Sequence, residues 1–154
     1  MQRQIIPGVI DGQQPLCTLP GDATAQAAAE LMAERRVGAV MVVEQGRLLG
    51  IVTERDVVFR VIAKNRAADA TLLSEVMTSQ PETLSPQDSA IAALEKMQAG
   101  RYRHLPVLRG DEVCGMVSIR DIYEAVRNHL QEELRGAEAL IYGDQYGGGA
   151  STAT

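Results

Sequence analysis

Two short segments of the sequence, residues 50–56 (GIVTERD) and residues 115–121 (GMVSIRD), carry the same polar residue types at the same spacing. Thr53 and Ser118 each end an apolar run and begin a helical pattern, so free backbone N–H groups are available there to an anion. An arginine, whose planar fork suits phosphate oxygens, follows two residues later, and an aspartate follows three residues later. The candidate polar residues are Thr53, Arg55, Asp56, Ser118, Arg120 and Asp121.

The same residues also fit a purely structural role. Thr-x-x-Asp and Ser-x-x-Asp resemble a capping arrangement, in which the helix dipole favours an aspartate in the first turn. Arg55 and Arg120 would then be surface residues that pair with nearby carboxylates. Capping does not require arginine, however, and the recurrence of the arginine in both segments favours a site for an anion.

Both segments belong to an internal repeat that spans most of the chain. At an offset of 65 residues, residues 18–63 align with residues 83–128 without a gap, and fourteen of the forty-six aligned pairs are identical. Chance would give about three or four identities in a chain of this composition. Duplication of an ancestral unit is the simplest explanation.

Each copy predicts the same order of elements. A short extended segment and a turn precede a helix, on which Ile91, Leu94 and Met97 recur at helical spacing in the second copy. Two β-rich runs separated by a polar turn follow in each copy and predict a hairpin. A helix closes each copy, over about residues 54–64 and 119–135. The unit is therefore β-α-β-β-α, and the fold class is α+β.

The size of one unit predicts how the two copies are arranged. A unit of about 50 residues is too small to bury a good core alone, so we expect the repeats to pack through their sheets with pseudo-twofold symmetry. A segment that ends in an apolar stretch joins them and predicts a short docked helix. The predicted divisions are residues 1–64 (N-terminal segment and first repeat), 65–81 (linker), 82–135 (second repeat) and 136–154 (flexible C-terminal tail).

The two signatures, together with YRHLPV at residues 102–107, resemble the pattern of cystathionine β-synthase (CBS) domains. The resemblance covers about residues 9–134, and both copies carry it at the correct spacing. Tandem CBS domains, called Bateman modules, usually bind adenosine-containing ligands in clefts between the two repeats. The resemblance implies a module that regulates and does not catalyse.

The resemblance also implies roles for individual residues. In ligand-binding members the aspartate of each signature holds the ribose hydroxyls, the hydroxyl residue assists, and the arginine points toward phosphate. Arg103 and His104 match positions that often add phosphate contacts, with a structural histidine as the alternative for His104. The first copy has Gly38 and Ala39 there, so the two clefts cannot be equivalent and one site should dominate. The implied ligand-binding residues are Thr53, Arg55, Asp56, Arg103, His104, Ser118, Arg120 and Asp121.

Composition narrows the classes of partner. The 154 residues carry a formal net charge of -5, which disfavours non-specific binding to nucleic acid. Charged residues interrupt every apolar run short of the roughly 20 residues that span a bilayer, so no membrane partner is expected. Cys17 and Cys114 are too few and too isolated for a disulfide framework or a zinc site. The N-terminus lacks the apolar core of a signal peptide, which predicts a cytoplasmic location.

These observations together predict a regulatory protein without an output domain of its own. We expect it to bind AMP, ADP or ATP, or a related cofactor such as NAD or S-adenosylmethionine, and to bias the geometry of a homodimer. The signal would then reach an unidentified effector protein. A ligand-independent dimeric adaptor is the alternative. Catalysis is disfavoured, because the sequence shows no nucleophile and base arrangement, no metal-ligand cluster and no phosphate-binding glycine loop.

Overall fold

The first repeat forms a four-stranded sheet. β1 (Thr18–Leu19) pairs in parallel with β2 (Ala39–Glu44), and a tight turn joins β2 to its antiparallel partner β3 (Arg47–Thr53). A fourth strand, β4 (Thr78–Ser79), pairs with β3 at the edge and comes from the segment predicted to be a linker. These elements are taken from a computed structural model, which describes residues 3–147.

Two helices complete this repeat. α1 (Ala25–Arg35) begins at Thr24, whose hydroxyl oxygen accepts a hydrogen bond from a backbone N–H of the first turn. It ends at Arg36, which adopts a left-handed conformation with φ 54°. α2 begins as an α-helical turn at Glu54–Asp56 and continues as a wider helical turn over Val57–Ile62, within two residues of its predicted end.

The second repeat follows the same order of elements. A single parallel bridge between Leu84 and Val107 stands where β1 pairs with β2 in the first repeat. The hairpin and both helices lie at equivalent positions, so the predicted β-α-β-β-α unit is confirmed in both copies. Its elements are α4 (Ala90–Gly100), β5 (His104–Arg109), β6 (Glu112–Ser118) and α5 (Ile119–Gly147).

The core of each repeat is completed by the segment that precedes the other repeat. The helical turn Ile5–Val9 packs into the second repeat, where Ile5 is fully buried and donates its backbone N–H to the Asp88 carbonyl at 2.9 Å. α3 (Leu73–Val76), the docked helix that the sequence predicts, packs into the first repeat, where Leu73 is equally buried and makes the equivalent bond. Each leading segment therefore belongs structurally to the other half of the molecule.

The repeats meet through their sheets, as the sequence predicts. β3 contacts β6, and residues 39–42 of β2 are buried on both faces of their sheet. Equivalent hydrogen bonds relate the two halves: Ala25 N–H donates to the Thr71 carbonyl, and Ala90 N–H donates to the Arg3 carbonyl, both at 2.8 Å. The arrangement is the expected pseudo-twofold pair of α+β repeats.

One of the predicted boundaries needs correction. α5 runs to Gly147 and not to about residue 135, because the good helix formers at residues 137–140 offset the glycines at positions 136 and 143. The predicted flexible tail, residues 136–154, is therefore helical up to Gly147, and residues 148–154 lie outside the described residues. The N-terminal segment is continuous in sequence with the first repeat, but it packs against the second, where Ile5 and Ile10 are buried in the core.

Candidate functional site

A large cavity of about 1330 Å³ opens between the two repeats. The C-terminal end of α1, the first turns of α2 and α5, and residues 14–17 ahead of β1 all contribute to its wall. Both halves of the molecule therefore line one cleft, which is where the sequence predicts a site. Five of the eight predicted residues line it: Arg103, His104, Ser118, Arg120 and Asp121.

Ser118 and Asp121 form a complete capping box at the start of α5. Asp121 Oδ2 accepts the Ser118 backbone N–H at 2.8 Å, and Ser118 Oγ accepts the Asp121 backbone N–H at 3.1 Å. The structural role weighed for these residues is therefore real. It does not exclude binding, because among the described residues the cap engages only one carboxylate oxygen and both side chains border the cavity.

The first signature has the same cap but a different environment. Asp56 Oδ2 accepts the Thr53 backbone N–H at 2.8 Å, and Asp56 Oδ1 lies 3.5 Å from Arg60 Nε. The Arg55 guanidinium lies 5.8 Å from the centre of the Phe59 ring. None of Thr53, Arg55 and Asp56 lines the cavity, so the structure does not bring the two signatures together at one site. Gly38, where the first repeat lacks a cation, lines the same cavity as Arg103 and His104, and the dominance of one site stays a prediction.

His104 of the second repeat lies against Gly38 and Glu54 of the first repeat in this cleft. A Cβ added to Gly38 would lie 3.1 Å from His104 Cε1 and 3.3 Å from Glu54 Oε1, so the glycine leaves room for the imidazole ring. Burial lowers the pKa of His104, while the charges of Glu54 and Asp121 raise it and that of Arg103 lowers it further. The ring is therefore neutral at neutral pH and is available as a hydrogen-bonding group.

Two further cations line the cavity that the sequence reasoning missed. Arg35 and Arg36, at the C-terminal end of α1, join Arg103 and Arg120 in its wall. None of the four forms a salt bridge within residues 3–147. A signal for one of them was present, because Arg36 is identical to its counterpart in the repeat, Arg101. The cleft is thus cationic although the chain as a whole is acidic.

Another part of the cavity wall is apolar. Cys17, Met41 and Met116 supply apolar atoms to the wall, and Cys17 and Met41 are buried. Burial raises the pKa of the Cys17 thiol, and the charge of Arg35 opposes this effect. A protonated thiol is a poor nucleophile, so this wall is suited to packing and not to covalent chemistry. Cys114, the other free cysteine, is only partly buried.

Residues 3–147 contain no group of three or more His, Cys, Asp or Glu side chains placed to hold a metal ion. Every helix in the same part of the chain is too short or too polar to span a bilayer.

Comparison with known proteins identifies the family. The sequence matches the CBS domain at residues 4–63 and again at residues 73–128, which together make up most of the chain. The chain belongs to the CBS domain family. Each matched region contains one repeat together with the leading segment that precedes it in sequence, and the cavity of the CBS pair lies between the two repeats.

Relatives of this CBS pair occur in several organisms. A mitochondrial CBS domain-containing protein of Arabidopsis thaliana is 36% identical over 138 residues, covering 86% of this chain and 66% of that protein. A CBS domain-containing protein of Bacillus subtilis is 36% identical over 122 residues, covering 79% of this chain and 84% of that one. The chain spans 66% of the first of these relatives and only 20% of another from Arabidopsis thaliana.

A solved structure shows the same fold with a ligand. The CBS domain protein of Pyrobaculum aerophilum, determined as a complex with AMP, superimposes on this chain with a TM-score of 0.65. The two sequences are 31% identical, and the superposition covers 71% of this chain and 84% of the other.

Proposed function

We propose that this CBS pair is a regulatory module that binds an adenosine-containing ligand, and foremost an adenine nucleotide, in the cleft between its repeats. One observation carries the proposal: a single cavity joins the carboxylate of Asp121 to arginines that have no acidic partner among the described residues. A ribose needs hydrogen-bond acceptors for its hydroxyls and phosphates need cationic donors, so the cavity offers both in one place.

The division of roles follows from the chemistry of the wall. The Asp121 oxygen left outside the cap accepts from the ribose hydroxyls, and the Ser118 hydroxyl assists it. The apolar surface of Met41 and Met116 is suited to a flat base, as ligand sites are lined mostly by apolar atoms with a few polar groups. Arg103 and Arg120 bind the phosphate nearest the ribose, and the neutral His104 adds a hydrogen bond.

The comparison with Pyrobaculum aerophilum supports this choice of ligand. A protein of the same fold and comparable length holds AMP. NAD and S-adenosylmethionine share the adenosine group and remain alternatives for this chain, to be separated by the binding measurements below.

The ligand signal requires a second surface, and the exposed face of α2 offers one. Phe59 and Ile62 are 58% and 66% exposed, and their neighbour Val58 is 50% exposed while also lining the cavity. Large apolar side chains in such a cluster mark an interaction surface. A homodimer formed across this face would place the cavity wall beside the subunit contact, so a ligand that prefers one dimer geometry would shift the balance between two. An effector protein then binds one of the two dimer geometries in preference to the other.

The proposal assigns no catalytic step to the chain. Burial raises the pKa of the Cys17 thiol in the cavity wall, so this group is not activated as a nucleophile. A cytoplasmic location is part of the proposal.

Thermal unfolding in the presence of AMP, ADP, ATP, NAD and S-adenosylmethionine tests the proposal. A ligand present at one hundred times its Kd stabilises the folded state by about 2.7 kcal/mol, which gives an easily measured rise in Tm. At least one adenine nucleotide should produce this rise. If no ligand of the series changes the Tm, the chain is the ligand-independent dimeric adaptor and the proposal is wrong.

The duplicated signatures provide a matched pair of variants for the same test. Asp121→Ala and Asp56→Ala each remove one capping box, so each should cost about 1 kcal/mol of stability. Asp121→Ala should also weaken the nucleotide by roughly tenfold or more, since it removes a charged acceptor from the cavity. Asp56→Ala should leave this site intact. Equal affinities in the two variants would contradict the assignment of Asp121 to the ribose.

A further inference from the structure

The arginines of the cavity come from both repeats. Arg103 and Arg120 belong to the second repeat, near the start of α5, where the Ile119 backbone N–H donates to the Arg103 carbonyl at 2.8 Å. Arg35 and Arg36 belong to the first repeat and end α1. Two planar guanidinium groups already satisfy one phosphate by bidentate contacts, so a monophosphate leaves cations of this cavity without a partner.

Arg36 occupies a backbone position at the helix end that is most often filled by glycine. It follows the last turn of α1 with φ 54°, in the left-handed region that favours glycine. A long side chain at this point carries a conformational cost that glycine does not. The same conformation recurs at Arg101, which ends α4 with φ 58°, so it belongs to the shared end of the two helices, and what distinguishes Arg36 is that its side chain lines the cavity.

The size of the cleft is consistent with a ligand larger than a monophosphate. Its volume of about 1330 Å³ exceeds the roughly 300–1,000 Å³ of most small-molecule sites. The guanidinium of Arg35 is held in the wall by a hydrogen bond from Nη1 to the Leu16 carbonyl at 2.9 Å. Arg36 has no such bond among the described residues and is exposed at the cavity wall, so it is the cation more available to a ligand.

We infer that the cleft is selective for a nucleoside polyphosphate, a diphosphate or triphosphate, over the corresponding monophosphate. Arg36 binds the distal phosphates, and Arg35 adds positive charge beside it. Arg103 and Arg120 bind the phosphate that is attached to the ribose. This inference rests on the proposed function. It assigns the distal phosphates to the first repeat and the rest of the nucleotide mainly to the second.

Isothermal titration with adenosine, AMP, ADP, ATP and inorganic tripolyphosphate tests the inference on three forms of the full chain: the wild type, Arg36→Gly and Arg101→Gly. Arg101 is the matched control, because it ends α4 with φ 58°, is exposed and does not line the cavity. Both substitutions place glycine at a positive φ, so both variants should fold at least as stably as the wild type.

The wild type should bind ATP at least about tenfold more tightly than AMP. Arg36→Gly should weaken ATP by about five- to tenfold, a modest factor because the side chain is partly solvated, and should leave AMP nearly unchanged. Arg101→Gly should bind every ligand as the wild type does. Tripolyphosphate alone should bind more weakly than ATP, because it lacks the nucleoside.

The possible failures are distinguishable. Equal binding of AMP and ATP by the wild type overturns the inference and leaves the proposed function standing. The same holds if Arg36→Gly and Arg101→Gly have equal affinities for ATP. Tripolyphosphate that binds as tightly as ATP contradicts the nucleoside part, and the absence of binding by every adenosine ligand overturns both the inference and the proposed function.

Discussion

Replacing Ile5 tests the most unusual feature of the fold, the completion of each core by the other repeat's leading segment. Ile5 is fully buried in the core of the second repeat, although it precedes the first repeat in sequence. Ile5→Ala removes three carbon groups, worth about 0.8 kcal/mol each in burial, or about 2.4 kcal/mol together. The cavity left behind adds to this cost, so we expect a loss of about 2 to 5 kcal/mol in the free energy of unfolding.

Urea denaturation followed by far-UV circular dichroism, at one fixed protein concentration, measures this loss. The midpoint should fall, while the slope m and the single transition should be preserved. Ile91→Ala is the control for chemical identity, because Ile91 is 40% exposed and its loss should cost less than about 1 kcal/mol. A midpoint for Ile5→Ala no lower than that of Ile91→Ala would refute the exchange of leading segments. Two separate transitions in the wild type would refute the cooperative pairing of the repeats.

Three further outcomes follow from the site and the exposed face. The low pKa of His104 means that the unfolded chain binds this proton more readily, so stability should fall as pH drops below about 6.5, and His104→Gln should flatten that part of a series of urea curves from about pH 7.5 to pH 5. Gly38→Ala forces the His104 ring or the Glu54 carboxylate to shift and should weaken nucleotide binding several-fold in a titration, with a stability cost of about 1 kcal/mol that unfolding curves would show. If the proposed homodimer forms across α2, light scattering should report the mass of a folded monomer for Phe59→Asp, and a mass equal to that of the wild type would contradict the proposed interface.

The order of the helices and strands is predictable because the same sequence pattern occurs in both copies of the repeat. An alignment without gaps fixes which helix corresponds to which, and local turn and capping signals then bound the elements. The face that α4 buries is less predictable. Ile91 recurs at helical spacing, but it is largely exposed, and Ala90 and Ala93 are buried in its place. Small side chains allow the helix to lie close to the sheet, and hydrophobicity alone does not reveal that preference.

Long-range features of the candidate site are also beyond the reach of a single sequence. A hydroxyl residue followed three positions later by an aspartate marks a helix start equally well in both repeats. Only the packing of the two halves decides that the copy with Ser118 and Asp121 faces the cavity. The part played by Arg36 depends on a contact between the end of one helix and a cleft formed largely by another repeat. Arg36 is identical to its counterpart Arg101 in the other repeat, but this identity does not indicate which of the two arginines lines the cavity.

The crossed placement of Ile5 and Leu73 also has a consequence for how this pair arose. In each half, the stretch that fills the core is covalently attached to the neighbouring half. A single ancestral copy, expressed before the duplication, would have packed its first residues into the core of a second molecule, whose first residues packed into its own core. Such an exchange is a domain-swapped dimer. Fusion of the two copies into one chain would then have made this exchange of leading segments intramolecular.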